Sequence, residues 1–117
     1  MTRPTATLIE TGIPNIASVA AAFGRCGLDV TTTQDADVAR RSGLLVLPGV
    51  GAFDAGMRSL DRLGMLEVLC ERAERDAPLL AVCLGMQLLG SASDESPGVE
   101  GLGIIDAQAG AFDPSVR

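Results

Sequence analysis

Residues 78–89 read Pro78-Leu79-Leu80-Ala81-Val82-Cys83-Leu84-Gly85-Met86-Gln87-Leu88-Leu89, and two periods meet inside them. The proline opens an apolar run, Leu79 to Val82, with no polar alternation, which fits a parallel strand covered on both faces. From Leu84 the apolar positions Leu84, Leu88 and Leu89 recur at helical spacing to about Ser91. The same grammar runs back along the chain. Leu44-Leu45-Val46-Leu47 is a second buried run, bounded by Gly43 and Pro48. Ala6-Thr7-Leu8-Ile9 is a first strand, closed by Gly12 and Pro14. Asn15 stands at a helix N-cap ahead of Ile16, Val19, Ala20 and Phe23, and Gly27 ends that helix. Leu28 to Thr33, rich in Val and Thr, is another strand, and Asp35 to Arg41 a short polar helix. Met57 to Arg75 carries Leu60, Leu63, Leu66 and Leu69 as a helical stripe interrupted at Gly64. A loop from Ala92 to Gly101 precedes Ile104-Ile105, a fifth strand.

Strand and helix alternate, so the expected fold is α/β: a doubly wound, mostly parallel sheet of flavodoxin-like layout. The two most apolar runs, 44–47 and 79–82, are expected to be adjacent and central. Ligands of such sheets bind at the carboxyl ends of strands, which directs attention to Glu10 to Asn15, Pro48 to Phe53, and Cys83.

Composition excludes much. Among 117 residues there is no His, and the basic residues are all Arg. A Ser-His or Cys-His pair within the chain, a Schiff-base lysine and a phosphate-loop lysine are therefore out. A net charge of −6 and only three Phe leave no basic face or stacking platform for nucleic acid. Cys26, Cys70 and Cys83 are odd in number and lack CxxC spacing, which argues against a disulfide framework or a zinc site and for reduced thiols. The stretch from Leu79 to Gly90 is shorter than the ~20 residues that cross a bilayer. A soluble, cytoplasmic protein is expected.

Three strand ends carry possible chemistry. Ala81-Val82-Cys83-Leu84-Gly85 puts small residues two before and two after Cys83, which permits the tight turn of a nucleophile elbow. Unpaired amides at the helix start favour a thiolate there, and the Leu84 amide is a natural oxyanion donor. A buried structural cysteine is the competing explanation. In Pro48-Gly49-Val50-Gly51-Ala52-Phe53, Gly49 and Gly51 allow the peptide around Val50 to turn an amide into a cleft, although an ordinary strand-to-helix turn has the same composition. Gln87 lies one helical turn after Cys83, and Glu95 sits in a polar loop; both are ordinary solvated residues unless the site uses them. Cys26 and Cys70 fall within helical patterns and are expected in the core.

Together, Cys83-Leu84-Gly85-Met86-Gln87-Leu88-Leu89 and Pro48-Gly49-Val50-Gly51-Ala52-Phe53 resemble the class I glutamine amidotransferases. Met86 where other members have His, Glu95-Ser96-Pro97-Gly98-Val99-Glu100-Gly101-Leu102-Gly103, and more loosely Gly12-Ile13-Pro14-Asn15-Ile16, resemble the branch that serves imidazole glycerol phosphate synthesis in histidine biosynthesis. The resemblance covers the whole chain and implies that residues 1–117 are the N-terminal part of one amidotransferase domain. It implies that Cys83 attacks the side-chain amide of glutamine, that Gly49, Val50, Gly51 and Leu84 form the oxyanion hole, and that Gln87 and Glu95 bind the substrate. No cofactor is implied. The implied partner is a (β/α)8 cyclase that receives the ammonia. The chain departs from the family in one large respect: members finish a triad with a His and a Glu toward the C-terminus, and this chain has no His. It is expected to be inactive alone. A non-catalytic partner-binding fragment is the alternative, and a cysteine redox sensor with Glu10 as its acid a more distant one.

Overall fold

The chain is described by a computed structural model that covers residues 3–12 and 16–110. The expected N-cap at Asn15 lies outside the described residues. Strand β1 is Thr5–Ile9, followed by helix α1, Ile16–Arg25, strand β2, Asp29–Thr33, and helix α2, Ala36–Arg41. Asp35 caps α2 by accepting from the Asp37 amide, as a short polar side chain at that place should. Strand β3, Leu44–Leu47, leads to helix α3, Phe53–Arg62. Helix α4 is Met65–Glu74. The leucine stripe is thus two helices, because Gly64 at φ 70° takes the left-handed conformation that breaks the first and starts the second. Strand β4, Leu79–Ala81, turns at Cys83 into helix α5, Leu84–Leu88.

These four strands form one parallel sheet in the order β2-β1-β3-β4. Alternate residues serve opposite faces. Leu45 and Leu47, with Ile9, meet Phe53 and Leu60 of α3, Met65, Val68 and Leu69 of α4, and Leu84 and Leu88 of α5. Ala6, Leu8 and Val46 point the other way, against Ile16, Val19, Ala20 and Phe23 of α1. Both faces of β3 are covered, which is why Leu44–Leu47 carries no polar alternation.

One expectation is corrected here. β3 and β4 are adjacent, with Val46 opposite Leu80, but β4 is the edge of the described sheet and not a central strand. Leu80 remains 43% exposed. An apolar run reports that a strand suits cover on both faces; it does not report its place in the sheet. A second correction concerns Ile104-Ile105, which form no strand. The backbone amides of Leu102 and Ile105 instead donate to the carbonyls of Leu88 and Leu89, closing the C-terminal end of α5. The last strand is β6, Gln108–Ala109, which pairs in parallel with β5, Ala92–Ser93, as a separate ribbon. β5 lies in the stretch expected to be loop.

The frame has one staple with no sequence signature. Arg72 of α4 is buried, and among the described residues no carboxylate accepts from its guanidinium. It donates to the carbonyls of Pro78 at 2.8 Å, Ser42 at 2.7 Å, Gly43 at 2.8 Å and Ala39 at 3.3 Å, and to the Ser42 hydroxyl at 3.3 Å. One planar fork thereby ties the end of α2 and the starts of β3 and β4 to α4. Burial, and secondarily the nearby Arg75, pull its pKa below the ordinary guanidinium value.

Candidate active site

Cys83 stands between the last residue pair of β4 and the first turn of α5, with φ 55° and ψ −122°. Only it and Asp76 among described non-glycine residues have positive φ. Such backbone costs of order 1–3 kcal/mol and persists only where the surroundings impose it. Here they do. The amides of Val82 and Leu84 donate to the carbonyls of Leu47 and Gly49 at 3.0 and 3.1 Å, so the β3–β4 ladder runs on through the turn. Gly85 presses on β3 so closely that a Cβ there would collide with the Leu47 carbonyl. The packing swings the Cys83 side chain outward, and it is exposed. Because α5 is only five residues long, the strained turn distinguishes this position more than any helix dipole does.

Leu84 therefore has its amide taken by Gly49 in this structure. Gly49, Val50 and Leu84 line a cavity of about 190 Å3 together with Thr11, Gly12 and Ser59. Gly51 has φ 100°, a conformation favouring glycine, and Val50 is exposed. Gln87 and Glu95 line a different, polar cavity of about 420 Å3, with Ser93, Asp94, Ala109 and Gly110. The two sets flank the elbow without sharing one pocket.

Glu95 connects them. Its carboxylate accepts from the amide of Phe53 at 3.3 Å, and the Ser96 hydroxyl accepts from the amide of Asp54 at 3.2 Å. Both amides belong to the first turn of α3, whose own N-cap residue, Ala52, has no side chain to offer them. The 93–96 turn so lies against the helix that follows Pro48–Ala52. Ser93 accepts from the Glu95 amide at 3.2 Å, and Gln108 donates to Asp94 at 2.7 Å. Ser96, Asp94 and Gln108 carry no signal in the sequence, since their partners lie 42 or 14 residues away. Cys70 is partly buried, but Cys26 is exposed just beyond α1 rather than in the core.

The model of the class-I glutamine amidotransferases matches residues 7–103, and the chain belongs to that family. Among its relatives, the imidazole glycerol phosphate synthase subunit HisH of Thermus thermophilus is 39% identical over 94% of this chain and 55% of that protein. The chloroplastic imidazole glycerol phosphate synthase hisHF of Arabidopsis thaliana is 40% identical over 93% of this chain and 18% of the longer protein. A glutamine amidotransferase crystal structure shares the fold, with a TM-score of 0.77 at 17% identity, covering 91% of this chain and 56% of that one. The chain thus spans about half the length of the Thermus relative, and less of the Arabidopsis one. Among the described residues no helix is long and apolar enough to cross a membrane.

Proposed function

We propose that the chain is the nucleophile-bearing part of a glutaminase that supplies ammonia to imidazole glycerol phosphate synthesis. The carrying observation is a cysteine at positive φ on a strand-to-helix junction, within a chain of this family. Sγ of Cys83 would attack the amide carbon of glutamine. Ammonia leaves with a proton, a glutamyl thioester remains, and water releases glutamate and regenerates the thiol. Leu84 and the peptide around Val50 would hold the oxyanion once the Gly49 carbonyl has turned away. Gln87 and Glu95 would hold the substrate's head group, Glu95 by charge on its ammonium. Residues 1–117 would be the N-terminal part of one amidotransferase domain.

A thiol needs a base and the leaving ammonia an acid, and the chain has no His to serve as either. Sustained turnover by the chain alone is therefore not expected, and the cyclase of the synthase is the proposed receiver. The same lack of His supports a second role, as a partner-binding piece without chemistry. The test is labelling of Cys83 by a diazoketone analogue of glutamine, read site by site by mass spectrometry, beside an ammonia assay. The expected result is saturable labelling of Cys83, prevented by glutamine, with Cys26 and Cys70 spared and no sustained ammonia release. Labelling indifferent to glutamine would refute the glutaminase assignment and leave the partner-binding role.

A further inference from the structure

We infer that Ser96 is a positioning residue for the substrate's head group: its hydroxyl fixes, against α3, the turn that presents Glu95 to the polar cavity. This rests on the glutaminase assignment and deepens it. Two side chains do the work of the missing cap at Ala52, but they do not share it equally. The Glu95 carboxylate is exposed and sits 3.3 Å from the Phe53 amide, long for a charge-assisted bond of about 2.7–2.9 Å. It is loosely held, and an ammonium in the cavity can draw it away at little cost. Ser96 is buried, and its hydroxyl is the acceptor for the Asp54 amide; a buried partner cannot be exchanged for water.

On its ribbon side the turn is anchored by the Asp94 amide, which donates to the Ala109 carbonyl at 2.9 Å, and on its far side the Ser96 carbonyl accepts from the Val99 amide at 3.2 Å. Neither bond reaches α3, so without the Ser96 hydroxyl the remaining hydrogen bond from the turn to that helix, among the described residues, would be the loosely held one of Glu95 itself. Ser96 thus sets where the carboxylate stands, and Glu95 remains free to bind.

The experiment uses saturation of Cys83 labelling by the diazoketone analogue, with iodoacetamide as a reagent that ignores the cavity. Ser96→Ala should raise the half-saturating concentration about fivefold, the equivalent of one lost cap. The maximal labelling rate and the iodoacetamide rate should stay unchanged. Ser96→Thr should restore the wild-type value. Ala52→Ser, added to Ser96→Ala, gives α3 its own cap and should restore the melting temperature while the half-saturating concentration stays high; this background also serves if Ser96→Ala alone does not fold. An unchanged half-saturating concentration in Ser96→Ala overturns the inference. So does its full recovery on adding Ala52→Ser, which would make Ser96 a helix cap and nothing more. Wild-type labelling that never saturates would bring down the glutaminase assignment, and this inference with it.

Discussion

The amide of Leu84 donates to the carbonyl of Gly49 at 3.1 Å, one step beyond the Val82–Leu47 bond of the same ladder. A parallel pair of strands is thereby continued through the turn that carries Cys83, and the turn inherits the rigidity of the sheet. The same bond occupies the amide that the proposed reaction would use to hold an oxyanion.

That close approach predicts a severe effect at Gly85. Alanine there would drive its methyl into the Leu47 carbonyl, with backbone on both sides and nothing flexible to yield. We expect Gly85→Ala to destabilise by about 3 kcal/mol or more, a fall in melting temperature on the order of 10 °C. Calorimetry showing a loss below 1 °C would mean that β3 and α5 are further apart than described.

The strain at Cys83 makes an unusual comparison possible. Its φ of 55° suits glycine, so Cys83→Gly should be more stable than Cys83→Ala by about 1 kcal/mol. Both variants lose the thiol, so the difference isolates the backbone. Denaturant midpoints in the reverse order would show the turn to be unstrained.

Arg72 should not tolerate its nearest chemical relative. A lysine ammonium cannot serve the carbonyls of Pro78, Ser42, Gly43 and Ala39 from one plane. Arg72→Lys should cost about 2–3 kcal/mol through acceptors left buried and unmatched. Urea unfolding measures it directly, and a loss confined to a few tenths would relegate the fork to decoration.

Asp54 supplies a pH signature. Its hydrogen bond with Arg58, together with the Ala55 amide, holds its carboxyl below the ordinary value of 3.8. A depressed folded value means the charged form is favoured by folding, so the contribution is complete above 3.8 and fades as pH falls through the lower folded value. Asp54→Asn should melt slightly below the wild type at neutral pH, and the two should converge in acid. A difference that persists unchanged below pH 3.8 would assign it to something other than ionisation.

The local pattern of residues was sufficient for the parallel strands, the break at Gly64 and the elbow at Cys83, because each rests on neighbours in the chain. A run such as Leu44–Leu47 declares its burial, and small residues around Cys83 declare a tight turn. The place of β4 at the edge of the described sheet was not legible, since strand order is decided by which strand pairs with which across the molecule. The ribbon between Ala92–Ser93 and Gln108–Ala109 was missed for the same reason, being too short for any period. The fork of Arg72 was not legible either, because packing alone brings the carbonyls of Ala39, Ser42, Gly43 and Pro78 around it. The sequence alone determined that Cys83 stands between small residues where a strand gives way to a helix, and that no His accompanies it. Only the tertiary structure decided that Leu84 is paired with Gly49, and that Glu95 reaches α3 from 42 residues away, because both depend on backbone groups brought together by packing and not by spacing.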